Sequence, residues 1–282
     1  MDWFLEPFLL GFQQRALIGG LAAGVMSSVV GVWLVLRGMS FFGDAFVHGV
    51  LPGIAAATIF GFNPYLGAAV AAVVMVGGIE LIHRQTALKE DTAIGLLFVG
   101  MMALGVVIIS KSQSYTGSLT SILFGDIFGV DADTLTAMAV LGVPVLLGSL
   151  VLYRPLLALS FSPTKATTLG MSPRFTHAAL LVLIATSVIA SFQAVGTLLV
   201  FALLVGPPAT AALLTRTIPQ MFLISVLLSG FTVWCGLVLS YHLGTAGAAT
   251  VALVAIAAFF LVLVSRGALR RLRRTHGSEV PA

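Results

Sequence analysis

Charge is what this sequence has least of. Only 9% of its 282 residues are Asp, Glu, Lys or Arg, while 59% are hydrophobic and mean hydropathy is +1.11. A soluble domain carries about 25% charged residues to meet water, so an ordinary soluble enzyme and a disordered chain are both excluded. Cysteine occurs once, at Cys235, so no internal disulfide can staple a secreted scaffold. Neither a phosphate-cradling G-x-x-x-x-G-K-[ST] nor a metal-binding H-E-x-x-H occurs, so this chain is not expected to be an enzyme. The net charge is only +4, a basic bias that cytoplasmic loops give a membrane protein without any nucleic-acid partner. What remains is a polytopic membrane protein.

Crossing the hydrocarbon core takes about 20 apolar residues. Nine stretches qualify: 16–36, 40–60, 65–83, 92–110, 134–152, 176–192, 195–214, 221–243 and 246–264. Only Gln193 and Ala194 part the sixth from the seventh, so eight spans is the alternative. Runs this long are not barrel strands, which alternate over about 10 residues; the expected fold is an all-α transmembrane bundle forming a single domain, 1–282. With nine spans and a cytoplasmic C-terminus, 12 of the 14 Lys and Arg face the cytoplasm, and only Arg15 and Lys111 lie outside. The positive-inside rule selects that orientation and puts Asp126, Asp131 and Asp133 outside.

Residues 1–15 carry Asp2 and Glu6 in place of a basic leader and read as an interfacial segment. Residues 265–282 form a basic cytoplasmic tail, suited to anionic lipid. The G-x-x-x-G pairs Gly20/Gly24 and Gly49/Gly53 predict close helix contacts.

Asp44 and His48 are the informative pair, four residues apart in an apolar span. That spacing puts carboxylate and imidazole on one helical face. At such depth a charge costs several kcal/mol unless it is paired or faces a water-filled cavity. Pro52 has no N–H, so the His48 carbonyl loses its usual donor. The two side chains either satisfy each other or form a station for a divalent cation, since carboxylate with imidazole suits manganese, zinc or ferrous iron. A symmetric dimer would double the ligand set. Glu80 and His83 end the third span and can snorkel, His177 reads as interfacial, His242 ends the eighth span on the outer side, and Cys235 reads as packing.

Residues 154–174 form the longest hydrophilic stretch. Within it, Ser162 suits an N-cap, Pro163 the first helical position and Gly170 the stop. A short helix results, with Ala166 and Leu169 placed to meet a partner.

Four blocks in order resemble the permease subunit of bacterial ABC importers for zinc, manganese or iron. They are Arg37–Gly53, Glu90–Gly95, Ile122–Asp126, and Gln193–Val200 running on to Pro207–Ala211. This sequence departs from that family's pattern at Ser162, where an acidic residue is usual, and at Gly244–Gly247, where proline-glycine is usual. The resemblance implies a type II importer fold in the bacterial plasma membrane and a homodimer of permeases. It further implies two copies of a separate cytoplasmic ATPase that uses the ATP, and an extracellular metal-binding protein or lipoprotein that delivers the cargo. It places Asp44 and His48 on the metal pathway, with no cofactor resident in the chain. The competing functions are a permease for a larger chelate such as haem or a siderophore, and an autonomous cation or proton-coupled carrier.

Overall fold

The computed structural model describes residues 2–86, 90–110, 125 and 127–276, which are helical with no strand among them. A short helix α1 (Asp2–Leu5) and a 3-10 turn (Glu6–Leu9) precede α2 (Gly11–Leu36). The second span is interrupted, as α3 (Ser40–Gly49) and α4 (Leu51–Phe60), and is followed by α5 (Pro64–Gln85) and α6 (Glu90–Ser110). Next come α7 (Ala132–Val151), α8 (Tyr153–Phe161), α9 (Pro163–Thr168), α10 (Pro173–Leu214), α11 (Ile218–Leu243) and α12 (Gly247–His276). Among the described residues nine stretches are long and apolar enough to cross a membrane, the same nine the sequence predicts. The first begins at Gly11, five residues before the predicted 16, so α2 absorbs part of the N-terminal segment. Within the hydrophilic 154–174 stretch the short helix expected there is α9, and α8 precedes it.

At 42 residues α10 would span about 63 Å if straight, twice the hydrocarbon core. It is a hairpin. Near its start His177 meets Arg37, at the end of α2. Phe192 packs on Tyr65 at the opposite end of the bundle, their ring centroids 6.1 Å apart. By Ala211 the chain is back beside Val32 and Met221. The reversal occurs at Gly196, whose φ of 76° and ψ of 164° only glycine adopts readily. A second glycine, Gly125 (φ 63°), lies directly on the Gly196 backbone. Among the described residues 173–214 therefore counts as two candidate spans, which gives nine and not eight.

Lipid tails are as apolar as leucine, so tight packing rather than escape from water must hold such helices together. Here glycines supply the fit. α2 runs up the centre of the bundle against α10 and α11: Gly20 faces Val233, Gly24 faces Ser229, and a side chain on Gly31 would strike the Leu204 carbonyl. Gly53 of α4 and Gly67 of α5 each lie against the other's carbonyl. Trp33 is wholly buried, and its indole N–H donates to Ser149 Oγ at 2.9 Å, tying α2 to α7.

Candidate functional site

Gly38, at φ 67°, turns the chain out of α2 so that α3 starts at Ser40. Gly43 and Gly49 let α3 pack closely on Leu204 and Met75. The opposite face stays open. Phe41, Asp44 and His48 recur at intervals of three and four residues, hence along one stripe. Phe41 is 46% exposed, and the Asp44 and His48 side chains are 30% and 22% exposed. His48 Nε2 stands 3.5 Å from Asp44 Oδ1, a looser approach than a tight hydrogen bond. The ring's other nitrogen, Nδ1, is buried without a hydrogen-bond partner. Phe98 of α6 stands beside the imidazole, centroids 6.2 Å apart, and meets Phe41 edge-on at 6.0 Å.

An ion at the pair would find one carboxylate oxygen and one imidazole nitrogen, on two partly exposed side chains. Among the described residues no group of three His, Cys, Asp or Glu side chains converges. One chain thus offers two side-chain ligands, short of the four to six that transition metals take. The helix does break next to the pair, at Val50, two residues before Pro52. Pro52 has no N–H to give the His48 carbonyl, which therefore lacks its usual helical donor.

The other candidates separate. Ser162 is extended (φ −165°, ψ 121°), its carbonyl accepting the Ala166 N–H, and Pro163 opens α9. Gly170, at φ 72°, ends it while Met171 N–H bonds back to Ala166. Ala166 turns inward, 1% exposed, whereas Leu169 is 65% exposed. Leu169 also lines an apolar groove of about 440 Å³ with Arg154, Leu157, Ala158, Phe161 and Met171. Glu80 is half-buried on α5, His83 lies one turn on in the same helix, and Cys235 is half-buried on α11. His242 is held by the N-terminal segment: its Nε2 is 2.8 Å from the Trp3 carbonyl and its ring stacks on the indole at 4.0 Å. Asp126 lies outside the described residues. Asp131 caps α7 by accepting the Thr134 N–H; the Thr134 side chain first, and then that N–H, hold its carboxyl below the usual range, with Arg15 adding to the effect.

Sequence reasoning missed two features. Phe98 is an ordinary apolar residue in an apolar run, so nothing local marks it as the neighbour of His48. The Arg37–His177 contact joins residues 140 apart, though both sit at span ends where unpaired polar groups need partners.

A family model, described as the ABC 3 transport family, matches residues 10–266, which include every site discussed above. The chain belongs to that family. The manganese transport system membrane protein MntC of Listeria innocua is 36% identical over 262 residues, 93% of each chain. A probable iron transport system membrane protein of Haemophilus influenzae is 34% identical over 269 residues, covering 95% of this chain and 98% of its own. Among solved structures, PsaBC from Streptococcus pneumoniae in complex with Fab superposes with a TM-score of 0.82 at 32% identity, over 92% of this chain and 94% of that one. The helical permease architecture expected from the four blocks is thereby established.

Proposed function

We propose that this chain is the membrane permease of an ATP-driven importer of manganese or a like divalent metal such as iron or zinc. The observation that carries the reading is the Asp44–His48 pair, partly exposed on the open stripe of α3. Leaving an ionisable pair against lipid costs about 3 kcal/mol or more per group. A second copy of the chain covers the stripe, and the two pairs together supply four side-chain ligands around a central pathway. Family membership and the manganese and iron systems among the relatives support the cargo. A chelate such as haem would have little use for two small, hard-to-bury ligands, and a carrier running without ATP would not need α9. An extracellular binding protein delivers the ion at the Asp131 end; the ATPase docks at the Arg37 end, where Leu169 and the groove beside it face outward. Ala166 serves by anchoring α9 to its own chain.

Proteoliposomes holding this chain with its ATPase should accumulate manganese when ATP is added, and the chain alone should not. Leu169→Asp should insert and dimerise but fail to retain the ATPase, lowering uptake at least tenfold. Uptake by the chain alone would refute the ATP-driven reading, and full uptake by Leu169→Asp would refute the docking assignment.

Orientation is checked separately. In a Cys235→Ser background, Ala246→Cys should react with an impermeant thiol reagent on intact cells, and Thr164→Cys only after permeabilisation. The reverse pattern would turn the molecule over.

A further inference from the structure

Arg37 and His177 meet where the end of α2 comes against the start of α10. Arg37 Nη1 stands 2.7 Å from His177 Nδ1. A guanidinium has donors only and does not release its proton. His177 Nδ1 is therefore the acceptor, which makes the imidazole neutral with its proton on Nε2. The contact is a directed hydrogen bond from a fixed cation to a neutral base.

Its position matters more than its strength. Arg37 closes α2; Gly38 follows at φ 67°, and Asp44 comes seven residues after Arg37, little more than one turn into α3. His177 is the fifth residue of α10; Gly170 precedes it at φ 72°, and α9 ends at Thr168. Most of the bundle's glycines are crowded by a neighbouring helix. Gly38 and Gly170 are not: a Cβ on either would meet nothing within 4 Å. Both serve conformation alone, at the turns that join α2 to α3 and α9 to α10. Gly31 of α2 packs on the Leu204 carbonyl in the returning arm of α10, while His177 lies in the first arm. The hydrogen bond joins the end of α2 to the start of α10, next to both turns.

We propose that the Arg37–His177 hydrogen bond is the link by which displacement of α9 reaches the helix bearing Asp44 and His48, a proposal that rests on the importer reading above. Neither residue touches the ion. They are positioning residues that keep the end of α2 in register with the start of α10, so that a push on α9 that reaches the start of α10 also moves the turn leading into α3.

The test uses the reconstituted complex with its ATPase and manganese as the probe, reading ATP hydrolysis, manganese moved per ATP, and the amount of assembled complex. His177→Ala should hydrolyse ATP at a rate within threefold of the parent while manganese per ATP falls at least tenfold. His177→Gln offers a neutral amide oxygen to the same guanidinium and should restore manganese per ATP to within threefold. Normal manganese per ATP in His177→Ala, or a His177→Gln as uncoupled as His177→Ala, would overturn the proposal. If His177→Ala assembles poorly, the exchanged pair Arg37→His with His177→Arg decides. Recovery of coupled transport by the exchange supports the link; an assembled but uncoupled exchange, or one that also fails to assemble, refutes it. Failure of the unsubstituted complex to move manganese with ATP would strike at the importer reading instead.

Discussion

Asp44→Asn and His48→Ala should each lower manganese uptake by more than tenfold while leaving assembly and ATPase binding intact. The reasoning starts from charge. Two unit charges 4 Å apart attract by about 4 kcal/mol at the effective dielectric of about 20 found near a protein surface. A divalent ion crossing a poorly hydrated pathway depends on such attraction to replace its water. Asparagine keeps the size and hydrogen bonding of Asp44 but removes the charge, and about 1.4 kcal/mol already amounts to tenfold. Asp44→Glu should retain more uptake than Asp44→Asn, because a methylene matters less than a charge at a transient site. The pair is 3.5 Å apart and partly exposed, so it contributes little to holding α3; Gly43 against Leu204 and Gly49 against Met75 do that. Uptake near normal in both Asp44→Asn and His48→Ala would mean that the two groups merely satisfy each other. Binding must also be weak enough to let the ion go, so a variant that binds manganese more tightly should slow transport as well.

Gly196→Ala should cost the folded protein itself. At φ 76° and ψ 164° the chain occupies a region essentially reserved for glycine, and a non-glycine residue held there stores about 1–3 kcal/mol. The turn cannot relax easily, because the Gly125 backbone lies directly on it and Val195 and Thr197 on either side are wholly buried. Domains are stable by about 5–15 kcal/mol in all, so detergent-extracted Gly196→Ala should show a clearly lowered melting temperature and reduced yield. Gly77→Ala is the control: its Cβ would meet nothing within 4 Å, and the substitution favours helix. Equal melting temperatures for the two variants would mean that the hairpin tolerates another conformation at 196.

The membrane class, the nine apolar runs, the caps of α9 and the spacing of Asp44 and His48 were all legible in the linear sequence. Each is local: hydropathy needs a window of about 20 residues, a cap needs four, and an i, i+4 pair needs one turn. Ser162, Pro163 and Gly170 take the places around α9 that their backbone preferences dictate. Tertiary structure decided the rest. Whether 173–214 is one long helix or a hairpin depended on Gly196 meeting Gly125 and on Ala211 returning to Val32. The inward turn of Ala166, the Phe98 ring beside His48 and the union of Arg37 with His177 likewise join distant parts of the chain. The physical reason lies in the solvent. In water a helix reveals its buried face by the contrast between apolar and polar sides. In lipid both sides are apolar, so the sequence announces that a helix crosses the membrane without saying which face meets protein, which meets lipid and which stays open for an ion.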